Sequence, residues 1–224
     1  MVVRSPRSVG APGMAGSRIV AEAARRGHSV SGFSRSERTG SERTGSERTH
    51  EQAPDGVSFF TADAGDRAAM SRIAAQHDVI VLATRPVPGT EDEVSSPVTT
   101  VLDAALEYGR RVIVIGGAGP LTSPDADHLV VDDPHFVPPQ WRTIAQASVD
   151  QLHVCLNHPA EWAYLSPAAL FGPGERTGHY RRGTHRLLVD ADGRSHISAE
   201  DLAIAALDEI EQPAPEVRHF TVAY

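Results

Sequence analysis

The rhythm of apolar positions changes repeatedly along the chain. Val79 to Ala83, in DVIVLATRP, and Val112 to Ile115, in RRVIVIGGAGPL, are unbroken apolar runs closed by proline or glycine turns. Short runs of this kind predict strands buried on both faces. HSVSGFSR, His28 to Arg35, alternates, with Val30 and Phe33 apolar, and predicts another strand. So do VSFFTAD, Val57 to Asp63, WAYLSPAAL, Trp162 to Leu170, and the terminal HFTVAY.

Between these runs the period lengthens to that of a helix. SRIVAEAARRG places Ile19, Val20, Ala23 and Ala24 on one face, and Gly27 supplies a stop. DRAAMSRIAAQ, Asp66 to Gln76, predicts a second helix. SSPVTTVLDAALEYG, Ser95 to Gly109, predicts a third, with Pro97 in its first turn. A polar stretch from Ser123 to Gln140 precedes a helix over Thr143 to Leu156, and HISAEDLAIAALDEIEQP holds a last amphipathic one.

Strands alternating with helices of about 10–15 residues build right-handed βαβ units. The expected fold class is therefore α/β, a doubly wound parallel sheet. With 224 residues, 1–224 is expected to form a single domain, with residues from about 166 to 200 as a small C-terminal substrate-side lobe. Ligands of such sheets bind beyond the carboxyl ends of the strands. The turns of interest thus follow Val9, Phe33, Thr61, Leu82, Ile115 and Leu165.

Two segments depart from the pattern. SERTGSERTGSERT, Ser36 to Thr49, is a polar pentad written nearly three times, and 36–50 reads as a mobile surface loop. At the front, RSPRSVGAPGMAGSRIV carries Gly10, Gly13 and Gly16 at three-residue steps, the spacing of a phosphate-binding turn entering a helix. The strand expected before it holds Arg4, Pro6 and Arg7 where apolar residues belong. Proline removes a ladder bond and buried arginines are unfavourable, so that strand is expected to shrink to Ser8-Val9, with Val2 and Val3 packing separately.

Composition narrows the chemistry. The formal charge of −8 argues against a nucleic-acid binder, and no apolar run approaches the length of a membrane span. No apolar signal core follows the first residues and Cys155 is alone, which fits a cytoplasmic, reducing setting. All 21 basic residues are arginine. Schiff-base lysine chemistry, a P-loop lysine and a Tyr-x-x-x-Lys pair are therefore excluded. Asp125, Asp127, His128, Asp132, Asp133 and His135 cluster without any metal-ligand spacing, so no metal is expected. No Gly-x-Ser-x-Gly elbow is present.

The strand-end turns supply the candidates. In GAPGMAG, Gly10, Pro12, Gly13, Met14 and Ala15 would bring backbone N–H groups to a pyrophosphate. Arg35 lies 19 residues past Gly16, where an acid would bind the ribose of NAD and an arginine suits the 2′-phosphate of NADP. NADP(H) is therefore expected over NAD(H). Ala62 and Asp63 end the third strand, where an Asp either bonds adenine or caps the next helix. Ala83, Thr84 and Arg85 could line the ribose, and Gly116 and Gly117 leave room for a nicotinamide.

GAPGMAGSRIVAEAARRGHSV, LSPAALFGPGERTGHYRRG and ISAEDLAIAALDEIE together resemble the atypical short-chain dehydrogenase/reductase superfamily. More narrowly, they resemble its NmrA-like and biliverdin/flavin-reductase-like NAD(P)H-binding members. The likeness runs from about Val9 to Tyr224 and is most specific in Ser166 to Gly183. It implies a Rossmann fold with Ser166 and Pro167 close to the nicotinamide. Pro12 and Met14 depart from the usual Gly-Ala-Thr-Gly turn, and Gly117 stands where a catalytic serine is expected.

With the Ser-Tyr-Lys set missing, His135 and Tyr180 are the candidate proton donors. His179, Arg176 and Arg181 are candidate substrate contacts, with Arg182 beside them. The expected activity is NADPH-dependent reduction of a small conjugated, flavin-like or quinone-like acceptor by a monomer or homodimer. A non-catalytic NADP-binding redox sensor and a biosynthetic enzyme doing non-redox isomerisation or cyclisation are the alternatives.

Overall fold

The computed structural model describes residues 13–35, 56–84 and 95–224. The expected first strand, Gly10, Pro12, Arg85 and the repeat loop 36–50 lie outside the described residues. In chain order the elements are α1 (Met14–Arg25), β1 (Val30–Ser34), β2 (Val57–Thr61), α2 (Arg67–Gln76) and β3 (Val79–Leu82). Next come α3 (Ser95–Glu107), β4 (Arg111–Ile115), α4 (Arg142–Leu156) and β5 (Trp162–Pro167). The chain closes with β6 (Leu170–Gly172), β7 (Arg181–Gly183), β8 (His196–Ser198), α5 (Ala199–Glu211) and β9 (His219–Ala223).

Among the described residues, β1 and β2 form one parallel pair and β3-β4-β5-β9-β7 a five-stranded sheet. A third, small sheet pairs β6 with β8. β3, β4, β5 and β9 are mutually parallel, and β7 returns antiparallel along β9, Arg181 opposite Ala223. That antiparallel edge departs from the wholly parallel sheet expected. The chain leaving β6 crosses one face of the fold and meets β9 travelling the opposite way.

The apolar runs read as doubly buried strands are that. In β4, Ile113 and Ile115 pack with Val81, Ala163 and Leu165 against α1 and α5. Val112 and Val114 face the other way, with Ile80, Leu82, Trp162 and Tyr164, against α2, α3 and α4. Each fully buried Val, Leu or Ile contributes about 1.5–3 kcal/mol, so these two layers carry most of the fold's stability. A third cluster, Leu121, Val130 and Leu187, joins the loop after β4 to the segment after β7.

Local signals set the ends of the helices. α1 stops in a Schellman arrangement: Gly27 adopts φ +81°, its N–H bonds to Ala24 O, and the His28 N–H bonds to Ala23 O. Asp66 caps α2 through the Ala68 and Ala69 N–H groups. Ser198 caps α5 by accepting from the Asp201 N–H.

Candidate functional site at the strand ends

α1 begins differently from α2 and α5. Its N-cap is Gly13, which offers no side-chain acceptor, and its first turn holds no acid. The Ser17 N–H closes the first helical bond onto Gly13 O, so the N–H groups ahead of it have no acceptor within the helix. Among the described residues, nothing lies within 4 Å of the point a Gly13 Cβ would occupy. A helix end with aligned N–H groups and no side-chain cap fits a phosphate or pyrophosphate. Met14 is exposed and Ala15 half-buried at this end.

The turns after β1, β2 and β3 carry the next candidates. Arg35 is exposed, and among the described residues it makes no ion pair. Asp63 accepts the Gly65 N–H at 2.9 Å through Oδ1, a turn-closing role, while Asp66 takes the helix cap. Ala83 and Thr84 are half-buried just past β3.

At the end of β4, glycine is required for an internal reason. A Cβ on Gly116 would fall 2.0 Å from the Tyr164 hydroxyl oxygen. Tyr164 is fully buried; its hydroxyl donates to Ser148 O at 2.8 Å, with Gln151 Oε1 3.0 Å away. Burial pushes this phenol well above its ordinary range, so it stays neutral. A Cβ on Gly119 would approach Ala145 O to 2.3 Å. The small residues at this turn thus admit Tyr164 and α4 from beneath, whatever else they leave room for above.

Ser166 and Pro167 close β5 and are buried. The Ser166 hydroxyl lies 3.0 Å from His219 Nε2, a partner contributed by β9. Burial, with a neighbouring His185, holds His219 down at about 4. The imidazole is therefore neutral near neutral pH. Directly after Pro167, an open groove runs along Leu170, Phe171, Pro173, Thr177, His196 and Tyr224.

The segment 174–183, expected to form a substrate wall, lies as a strap across the outer side of α1 and α5. Arg176 makes a bidentate bond to Glu22, Nε to Oε2 and Nη2 to Oε1, both 2.9 Å. Glu22 is buried and its carboxyl is held below the usual range, first by Arg176 and against its own desolvation. Tyr180 donates to Asp208 Oδ2 at 2.6 Å, and burial followed by that carboxylate raises its phenol. Arg181 donates to Val189 O at 2.8 Å and to Tyr224 O. Arg182 meets Glu209 at 2.6 Å and covers the Phe220 ring.

Two acids in the first turn of α5 gather the strap's backbone. Glu200 accepts the Gly174 N–H at 2.8 Å and pairs with Arg18 at 3.0 Å. Asp201, fully buried, accepts from the Thr177 N–H and hydroxyl, the Gly178 N–H and the Tyr224 hydroxyl. Burial alone would raise Asp201, but these donors outweigh it and the carboxyl sits low.

The structure gives most of the expected substrate contacts partners within the chain, while Thr177 of the strap lines the groove after Pro167. Arg176 and Tyr180 already have carboxylate partners on helices, and Arg181 holds two carbonyls. His179 is exposed on the strap, its N–H bonded to Thr177 Oγ1. His135 lies in the loop between β4 and α4, its N–H on Asp133 Oδ1 and its ring edge-on to Phe136 at 4.7 Å. Tyr164, His219 and Asp201 were not singled out from the sequence. The signals lay in the polar alternation of HFTVAY and in an acid three residues past Ser198.

Among the described residues, no group of three or more potential ligands could hold a metal ion, and no helix is long and apolar enough to cross a membrane.

The profile of the NAD(P)H-binding family matches residues 10–213. YwnB, an uncharacterised protein of Bacillus subtilis, is 32% identical over 219 residues, covering 96% of this chain and 95% of that one. A Burkholderia pseudomallei structure, named as a candidate exported protein, is 36% identical with TM-score 0.81, covering 98% of this chain and all 100% of that one. A candidate epimerase of Bacteroides thetaiotaomicron is 28% identical with TM-score 0.81, covering 99% and 98%. A candidate NADH-flavin reductase of Streptococcus pneumoniae, 24% identical with TM-score 0.79 over 98% and 99%, shares the fold. This chain belongs to the NAD(P)H-binding family, and its fold is of the Rossmann type.

Proposed function

We propose that this member of the NAD(P)H-binding family is an NADPH-dependent reductase of a small conjugated, flavin-like or quinone-like acceptor. The observation that carries the reading is the amino end of α1, where Gly13 supplies no side-chain cap and, among the described residues, the space beside it is open. In this reading Gly10, Pro12, Gly13, Met14 and Ala15 hold the pyrophosphate. Arg35 meets a 2′-phosphate, and Ala62 with Asp63 Oδ2 faces adenine. Ala83, Thr84 and Arg85 flank the ribose. Gly116, Gly117, Ser166 and Pro167 border the nicotinamide.

When bound, the reduced dinucleotide supplies a hydride. The chain's part is to orient, to shield and to leave a route for the accompanying proton. Tyr164 closes the floor beneath Gly116 without offering a proton, since its hydroxyl already donates within the core. A flavin or quinone is an acceptor whose reduction can draw its proton from solvent, which suits a site with no lysine. The apolar lining of the groove after Pro167, Leu170 and Phe171 foremost, supports a flat conjugated body. His135 and His179 remain solvent-side candidates for relaying the proton, and a monomer or homodimer acting in the cytoplasm completes the reading.

Following NADPH oxidation with a panel of flavins and quinones tests it; turnover with at least one is expected. Arg35→Glu should weaken NADPH by about tenfold or more while leaving NADH nearly unchanged, as loss of one charge-assisted phosphate contact implies. Equal loss for both cofactors overturns the Arg35 assignment. The second reading, a non-catalytic NADP sensor, is favoured by one observation: Tyr180, the candidate donor, is tied to Asp208. Tight cofactor binding with no turnover on any acceptor would select it.

A further inference from the structure

β9 is the last strand in sequence, yet its first residue supports the carboxyl end of β5. In the parallel β5–β9 pair, His219 stands opposite Tyr164 and Thr221 opposite Ser166. Residues two apart on a strand share a face, so all four side chains lie on the same one. Ser166 and Thr221 are fully buried. Among the described residues Thr221 Oγ1 has no hydrogen-bond partner, and the Ser166–His219 bond, 3.0 Å, ties the two strands on this face through side chains.

His219 is itself braced. Its ring stands edge-on to Tyr164, centroids 5.4 Å apart, and Tyr164 is anchored to α4 through Ser148 and Gln151. Brace follows brace: α4 fixes Tyr164, Tyr164 packs against His219, and His219 bonds Ser166. The turn at which this series ends is also joined to β4, since the Gly116 N–H bonds to Leu165 O at 3.0 Å. His219 is neutral at working pH because burial holds it at about 4, so the Ser166–His219 hydrogen bond joins two uncharged groups.

We infer that His219 is a positioning residue for the nicotinamide end of the bound dinucleotide, acting by holding Ser166 and hence the Ser166–Pro167 backbone in place. The inference rests on the cofactor reading above. It assigns a function to the final strand, which otherwise serves as one more layer of sheet. It also makes a specific demand: loosening His219 should affect the nicotinamide half of the ligand and spare the adenosine half.

The test compares binding of NADPH with binding of 2′-phospho-ADP-ribose, the same ligand without nicotinamide, by calorimetry on the full chain. His219→Leu should weaken NADPH about five- to tenfold, the scale of one lost hydrogen bond, with the fragment changed less than about twofold. His219→Gln, whose amide can still reach Ser166, should recover most of the loss, and Ser166→Ala should reproduce it. Unaltered NADPH binding in His219→Leu, or an equal loss for both ligands, overturns the inference. If His219→Leu does not fold, the Ser166→Ala and His219→Gln measurements decide by the same criterion. Failure of the wild-type chain to bind either ligand overturns the cofactor reading and this inference with it. Selective loss of NADPH upholds both.

Discussion

The strap 174–183 and the amino end of α1 are both rich in polar groups, and they differ in what those groups have found. In the strap, arginines 176, 181 and 182 and Tyr180 each meet a carboxylate or carbonyl, and the backbone N–H groups of Gly174, Thr177 and Gly178 each meet an acid of α5. At α1, Gly13 caps nothing and Arg35 has no ion pair among the described residues. A charged motif is a poor guide to a ligand when the fold itself supplies the partner. A helix amino end without a side-chain cap is a better one.

Substitutions at Asp201 should break the closed region most severely. Asp201→Ala leaves the Thr177, Gly178 and Tyr224 donors without their buried acceptor, a loss of about 3–5 kcal/mol. Chemical denaturation should show it as a lowered midpoint. A destabilisation below about 1 kcal/mol would mean the strap is held by other contacts.

Gly13→Asp sharpens the contrast, because stability and binding should move in opposite directions. The backbone at Gly13, φ −78° and ψ 173°, suits any residue, and the space around it is open. A carboxylate there would cap α1 and raise stability by about 0.5–1 kcal/mol, while repelling a pyrophosphate and weakening NAD(P)H about 10- to 100-fold. If binding is unchanged, α1 does not receive the phosphates.

Arg176→Met should cost about 1–2 kcal/mol, since buried Glu22 keeps Arg26 and Arg25 as partners. An arginine engaged by Glu22 should leave the KM for an acceptor within about twofold. A large rise in KM would return Arg176 to the substrate.

The remaining effect concerns pH. His219 falls from an ordinary 6.5 to about 4, so the unfolded chain binds its proton more readily. Its contribution to stability is complete above about pH 6.5 and is lost as pH falls towards 4. The depressed carboxyls of Glu22 and Asp201 add their own loss only below the usual carboxylate range. Denaturation between pH 7 and 4.5 should therefore steepen in the wild type relative to His219→Gln.

Much of the fold was legible in the chain because its strands are apolar runs and its helices carry capping and stop residues. Gly27 marks such an end, whereas the cap of α2 falls on Asp66 rather than Asp63, which closes the preceding turn. The antiparallel β7 was not legible, since RRG has neither alternation nor an apolar face. The strap's internal partners were hidden for a physical reason. Arginines and a tyrosine in a glycine-rich segment look ligand-ready, and only the tertiary fold shows that Glu22, Asp201 and Asp208 lie beneath them. Buried acids such as Asp201 and Glu209 also defeat periodicity, which assigns charge to the solvent side. The His219–Ser166 pair spans 53 residues and belongs to no local motif.

The fit between Gly116 and Tyr164 reaches beyond the site. The ring and hydroxyl of Tyr164 fill the volume that any side chain at 116 would need, with Tyr164 Cζ only 2.1 Å from a Cβ placed there. Residues 48 positions apart in sequence are therefore bound to one evolutionary decision. A lineage can exchange the glycine only after surrendering the whole aromatic ring, because phenylalanine would collide as surely as tyrosine. Descendants of this chain should keep the pair or lose it together, and one that holds a side chain at 116 should be found with a small residue at 164.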